Sequence, residues 1–153
     1  MKRIAVFPGS FDPFTIGHES ILLRSINLFD EIIIAIGVNS QKKNLYSLEQ
    51  RISWIQDTFK NEKKIRVDSY QGMTIDFCIK NNANFILRGL RTSADFEFER
   101  GIAQMNHAME KNIETVFIIS NPEFSAINST IVRDIIQNGG QAKQFVPKEI
   151  KIK

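Results

Sequence analysis

The run Ile32-Ile33-Ile34-Ala35-Ile36-Gly37-Val38 contains no polar side chain to turn toward water. A β-branched stretch of this kind is a strand buried on both faces, and such a strand needs a covering layer on each side of its sheet. Four shorter runs join it: Ile4 to Phe7, stopped by Pro8-Gly9; Ile65-Arg66-Val67; Phe85-Ile86-Leu87; and Val116-Phe117-Ile118-Ile119 within Glu114 to Ser120. The third run in chain order, Ile65 to Val67, is short and more polar, which predicts an edge position.

Helical periodicity fills the intervals between these strands. Gly17 to about Phe29 places Ile21, Leu22, Leu28 and Phe29 at helical spacing. Ser47 followed by Gln50 is a capping-box pattern, opening a helix with Leu48, Ile52, Ile55 and Phe59 on one face and Trp54 beside them. Gly72 to about Asn81 reads as a helix. Thr92 with Asp95 opens a long one whose stripe, Phe98, Ile102, Met105 and Met109, predicts core or a subunit contact. Asn128 or Ser129 caps a last helix through Ile136, ending at Asn138-Gly139-Gly140. Pro147 stands where a further short helix has a plausible start. Strict alternation predicts crossover connections, hence an α/β fold: one Rossmann-like domain over residues 1–153, with a five-stranded parallel sheet and helices on both faces.

Charge and cysteine content narrow the classes of function. The formal net charge is +3, with no dense basic stripe, so a nucleic-acid partner is not required and a small anionic substrate fits. The single cysteine, Cys78, has no internal partner and reads as a small buried side chain. No Cys/His cluster has zinc spacing. Neither a signal-peptide pattern nor an apolar run of membrane-spanning length is present, so the expectation is a soluble, cytoplasmic protein with no membrane partner.

In an open parallel sheet, ligands bind beyond the carboxyl ends of the strands where strand order reverses. Four polar loops leave such ends: Gly9 to Gly17, Asn39 to Ser47, Arg88 to Thr92 and Ser120 to Asn128. They supply His18, Lys42, Arg88, Arg91 and a Ser/Thr-rich helix start. The first loop has neither G-x-G-x-x-G spacing nor the G-K-[ST] ending of a P-loop. There is no Ser/His/Asp triad and no evident carboxylate pair. Cations and helix-start amides suit phosphoryl or nucleotidyl transfer, which needs positioning and stabilisation of charge on phosphate oxygens. Each residue also has a plainer reading. His18 is alternatively a polar cap-region residue, and Arg88 and Arg91 alternatively pair with Asp95, Glu97 or Glu99. Lys43 reads as solvated, and His107, in mid-helix, as a surface or interface residue.

Gly9-Ser10-Phe11-Asp12-Pro13 followed by Thr15-Ile16-Gly17-His18 resembles the T/H-x-G-H signature of the nucleotidyltransferase superfamily related to class I aminoacyl-tRNA synthetases. Arg88-Gly89-Leu90-Arg91, Asp95-Phe96-Glu97-Phe98-Glu99 and Ser129-Thr130 are similar, in the same order, to bacterial phosphopantetheine adenylyltransferases. The resemblance covers essentially the whole chain. It implies transfer of the adenylyl group of ATP to 4′-phosphopantetheine, giving dephospho-coenzyme A and pyrophosphate, by direct in-line attack and with Mg²⁺ accompanying the nucleotide.

The same resemblance implies a catalytic set of His18, Lys42 and Arg91. His18 stabilises charge on the α-phosphate, and Lys42 bridges the two reacting phosphates. Ser10 and Phe11 meet the nucleotide or the acceptor phosphate, while Thr74 and Arg88, with Ser10 and Lys42, hold phosphopantetheine. ATP is held by Ser10, Phe11, His18, Gly89, Leu90, Arg91 and Glu99, and by a closing segment of Phe124, Ser125, Ala126, Ile127, Asn128, Ser129 and Thr130. Glu99 is read equally well as an intramolecular partner for Arg88 or Arg91. No protein side chain is implied as a metal ligand. Ser10 stands where threonine is common, Phe124 where tryptophan is frequent, Phe98 where tyrosine is often seen, and Asn128 within what is usually a serine pair. A homohexamer of two trimers and feedback inhibition by coenzyme A are also implied. The alternatives are a superfamily enzyme using nicotinamide mononucleotide or CTP, and a non-catalytic protein that binds nucleotide or coenzyme A.

Overall fold

The computed structural model describes residues 1–152. Ten principal elements alternate along the chain: β1 (Ile4–Gly9), α1 (Ile16–Ser25), β2 (Glu31–Gly37), α2 (Leu48–Thr58), β3 (Ile65–Tyr70), α3 (Thr74–Lys80), β4 (Phe85–Leu90), α4 (Ser93–Met109), β5 (Glu114–Ile119) and α5 (Ser129–Gln137). All strand pairs are parallel, in the order β3-β2-β1-β4-β5. The order reverses at β1, which places the switch point between β1 and β4.

Strand β2 behaves as its composition requires. Ile32, Ile34 and Ile36 face one apolar core with Phe7, Ile21, Leu22, Ile55 and Val132, whereas Ile33 and Ala35 face a second with Val6, Ile75, Phe77 and Ile86. All five β2 residues are fully buried, and each isoleucine contributes about 1.5–3 kcal/mol of transfer free energy. Helices α1, α2 and α5 cover the first face, and α3 covers the second. β3 lies at an edge, as its polarity predicts, and extends to Tyr70.

Several boundaries differ from the sequence reading. α1 stops at Ser25, whose hydroxyl donates back to the Ile21 carbonyl at 2.6 Å, and a 3₁₀ turn carries Ile26 to Leu28. β1 runs on through Pro8 and Gly9, and β4 through Arg88, Gly89 and Leu90, so the Arg-Gly-Leu segment is strand rather than loop. The stripe on α4 is no part of the core: Phe98 is 71% exposed and Met105 66%. Ile102, at 41% exposed, lines the second of two cavities described below. Pro147 begins no helix, and the tail instead returns Val146 and Ile150 to the first core.

Candidate active site

The site begins as a defect in the sheet. β1 pairs with β2 over six positions and β4 with β5 over six, yet β1 and β4 share only Ala5 with Phe85 and Val6 with Ile86. Beyond Val6 the central strands part. Pro8 sits on the parted stretch, where its missing N–H costs no rung. The Ile4 carbonyl accepts from Asn84 beside β4, and by alternation along the strand the Pro8 carbonyl faces the same way. Its partner is a side chain: Nη1 of Arg88 donates to it at 2.7 Å, spanning the gap. A proline in a central strand is tolerated here because the ladder has already opened.

Gly9 ends β1 against the ring of Phe11, and a Cβ there would stand 2.8 Å from that ring. Phe11 takes a left-handed backbone (φ 47) and is 3% exposed. Its ring packs on Phe7, Phe14 and His18 at centroid separations of 5.4, 5.4 and 5.0 Å. Packing of this density holds a conformation that costs a non-glycine residue roughly 1–3 kcal/mol.

Thr15 caps α1, and the x-G-H motif closes a reciprocal capping box with histidine in the place usual for Glu or Gln. The Thr15 hydroxyl accepts from His18 N at 3.3 Å, and Nδ1 of His18 accepts from Thr15 N at 3.0 Å. Because Nδ1 is an acceptor, the neutral ring carries its proton on Nε2. Burial lowers the imidazole pKa to about 3, with Arg88 and then Arg91 adding to the effect. His18 is therefore a neutral donor whose tautomer is set by its own helix cap.

Two adjoining cavities open at the parted strands, of about 220 and 240 Å³. The first is walled by the end of β1, the start of α1, the end of β4 and the β5–α5 segment. It gathers Ser10, Phe11, His18, Arg88, Gly89, Arg91, Glu99, Phe124, Ile127, Asn128 and Ser129 from the predicted set. The second gathers Thr74 and Arg88 with Tyr70, Ile102, Asn106 and Thr115. Pro8, Gly9, Arg88 and Glu99 line both. Leu90, Ser125, Ala126, Thr130 and Lys42 line neither, although Nζ of Lys42 reaches the Ser10 hydroxyl at 3.3 Å.

The cations are held by carboxylates of α4. Arg88 donates through Nε and Nη2 to Glu99, with Nη2 to Oε1 at 2.5 Å, and Glu99 is 8% exposed. Arg91 pairs with Asp95 at 3.0 Å. Burial alone would raise the Asp95 pKa, but hydrogen bonds from the Arg91 side chain and backbone hold it below the usual value. The plainer reading of Glu99 as an arginine partner is thus realised with Arg88. At the start of α5, Asn128 accepts from Ile131 N at 2.9 Å, so it serves as the cap. The Ser129 hydroxyl donates to the Pro13 carbonyl at 2.8 Å and ties α5 to the first loop. Thr74 shares a 2.8 Å hydrogen bond with the Tyr70 hydroxyl.

Three residues in or beside the site stand outside the site set expected from the sequence. Asp12 and Arg51, 1% and 3% exposed, bind backbone groups of the loops around Ser10. Asp95 lines the first cavity. An acidic residue in a loop between a buried strand and a helix was the available signal for Asp12. His107 pairs with Glu114 at 3.4 Å on an exposed surface, and burial pushes the Cys78 thiol up to about 12. Among the described residues, no three His, Cys, Asp or Glu side chains stand together as a metal-binding group. No described helix is long and apolar enough to cross a membrane.

Residues 6–135 match the family described as Cytidylyltransferase-like. The chain is 56% identical, over 99% of both chains, to a phosphopantetheine adenylyltransferase of Flavobacterium psychrophilum. It is 50% identical over the full length of both to one of Christiangramia forsetii. A bifunctional NMN adenylyltransferase/ADP ribose pyrophosphatase from Francisella tularensis, solved with AMP and a manganese ion, superimposes with a TM-score of 0.68 at 21% identity. That superposition covers 95% of this chain and 44% of the other, and it establishes likeness of fold.

Proposed function

The chain belongs to the phosphopantetheine adenylyltransferase family, and from that premise we propose how its residues divide the work. The reaction is transfer of the adenylyl group of ATP to 4′-phosphopantetheine, yielding dephospho-coenzyme A and pyrophosphate in coenzyme A synthesis. An oxygen of the acceptor phosphate attacks the α-phosphorus. The bond from that phosphorus to the bridging oxygen breaks in line, and pyrophosphate leaves with the electron pair. The nucleophile is ionised near neutral pH, so no general base is required.

The observation that supports our assignment of roles is the pair of cavities sharing Arg88. ATP takes the first, against Gly89, Arg91, Phe124 and the α5 start, and phosphopantetheine takes the second beside Thr74. Arg88 then serves both sides. Nε2–H of His18 donates to an α-phosphate oxygen as negative charge grows there, and Lys42 bridges the reacting phosphates from the Ser10 side. Arg91 exchanges Asp95 for nucleotide phosphate, an exchange suited to the guanidinium fork. Donors already fixed in place cost no reorganisation at the moment of reaction.

Mg²⁺ enters this scheme on the nucleotide. Of the acidic side chains nearest the site, Glu99 is engaged with Arg88 and Asp12 with backbone amides, and no three His, Cys, Asp or Glu side chains among the described residues stand together as a metal-binding group. The ion would therefore be held mainly by nucleotide phosphate oxygens and water, and it would neutralise phosphate charge. The exposed stripe of Phe98, Ile102, Met105 and Met109 favours a homo-oligomer, for which we take the homohexamer. Coenzyme A carries the same pantetheine arm as the product and so competes at the second cavity. Reaction in the cytoplasm accords with these substrates.

Incubation with ATP, Mg²⁺ and 4′-phosphopantetheine releases pyrophosphate. No turnover at any substrate level, or preference for nicotinamide mononucleotide or CTP, rejects this reading.

A further inference from the structure

The loop from Asn39 to Ser47 carries Lys42, yet Lys42 itself lines neither cavity. Its ammonium reaches the Ser10 hydroxyl from an exposed position, so its placement depends on what holds the loop. A buried polar strap does so. Asp12, 1% exposed, accepts the Leu45 N–H on Oδ2 at 2.7 Å and the Tyr46 N–H on Oδ1 at 2.9 Å. Arg51 crosses the same junction: Nε donates to the Tyr46 and Ser47 carbonyls at 3.1 and 3.3 Å, and Nη1 to the Ser10 carbonyl at 2.7 Å. Arg133 fixes the strap at its base by donating to the Asp12 carbonyl at 2.8 Å.

We propose that Asp12, together with Arg51, is a positioning residue that sets where the Lys42 ammonium stands relative to the reacting phosphates. Both carboxylate oxygens of Asp12 are committed to loop amides, and Asp12 lines neither cavity. It therefore acts through the loop and not on substrate. Charge-assisted bonds to backbone N–H groups are strong and directional, and the first strapped amide lies three residues from Lys42. Asn in place of Asp12 would present one acceptor and one donor to two N–H groups, so one strap bond must fail. The proposal rests on reading Lys42 as the bridge between the reacting phosphates.

The test is a pair of cycles read as kcat and KM: Asp12→Asn with Lys42→Ala, and Arg51→Lys with Lys42→Ala. Asp12→Asn lowers kcat by about 10- to 100-fold, the scale of loss for a catalytic group displaced by an ångström. KM for ATP is little changed. The double variant is no slower than Lys42→Ala alone, because the strap has nothing left to position. Multiplicative losses, or a loss confined to KM, overturn the proposal. If Lys42→Ala keeps full kcat, the reading of Lys42 fails; if only Asp12→Asn and Arg51→Lys keep it, the strap alone fails. Hydrogen exchange on the wild-type enzyme provides a readout that needs no variant. The Leu45 and Tyr46 amides are protected in the free enzyme, and exchange at open-loop rates overturns the strap.

Discussion

Nδ1 of His18 accepts the backbone N–H of Thr15 at 3.0 Å while the Thr15 hydroxyl accepts the N–H of His18. The side chain assigned to the α-phosphate is thus half of the cap that starts its own helix. One proton position follows, on Nε2, and the first prediction is spectroscopic. Nitrogen chemical shifts of the His18 ring in the free enzyme report the neutral Nε2–H tautomer from pH 8 down to pH 5. A titration centred near 6.5 contradicts this.

The same lowered pKa fixes a sign for stability. The unfolded chain takes up a proton on His18 below about pH 6.5, which the folded chain refuses until about pH 3. Stability is therefore full above pH 6.5 and falls as pH drops through that window, by up to about 1.4 kcal/mol per pH unit. Urea midpoints of the wild type and His18→Gln, compared between pH 7 and 5, converge toward acid if this holds.

His18→Ala lowers kcat by roughly 10²–10³, the range for removal of one preorganised donor to a developing oxyanion. Steady-state kinetics check it. An effect carried by KM alone points to uniform binding in place of transition-state stabilisation.

Much of this arrangement can be read in the sequence, and the rest has a physical reason for being hidden. β2 is apolar on both faces, which leaves few sheets able to hold it. Ser47, Thr92 and Asn128 cap the helices they precede, because a cap is a local hydrogen bond. His18 was visible as a motif and, alternatively, as a cap-region residue, but not as both at once in a reciprocal capping box, since the usual box residue is an acid or amide. Arg88 looked like a loop residue because Leu87 ends the apolar run. Only the parting of β1 from β4 shows that a charged residue can belong to a central strand. Asp12 and Arg51 were hidden for a different cause, namely that their partners are backbone groups distant in the chain.

Gly9→Ala places a methyl carbon 2.8 Å from the Phe11 ring, and that ring is locked among Phe7, Phe14 and His18. The expected cost is about 1–3 kcal/mol from overpacking, with reduced kcat as Phe11 presses on His18. Thermal melts and turnover measure the two effects, and a neutral variant shows that the ring has room to yield.

Arg88→Ala leaves Glu99, only 8% exposed, without its cation. It also removes the donor to the Pro8 carbonyl. We expect KM to rise for both ATP and phosphopantetheine, since Arg88 lines both cavities, together with a loss of about 1–3 kcal/mol, discounted from the fully buried case for the partial exposure of Arg88. A rise confined to one substrate argues against a shared residue.

Phe98→Glu and Met105→Glu change side chains that are 71% and 66% exposed. In a monomer they are nearly neutral. In the homo-oligomer they lower the mass measured by light scattering, and a wild-type mass of 17.6 kDa rules out the assembly altogether.

The short ladder between β1 and β4 makes the sheet two panels with a crease, β3-β2-β1 on one side and β4-β5 on the other. Both cavities are lined from each panel, by Pro8 and Gly9 of β1 and by Arg88 of β4, at the place where backbone rungs are missing. On the proposed assignment, substrates at the crease would brace both panels, and ligand that binds only the folded chain would raise its stability.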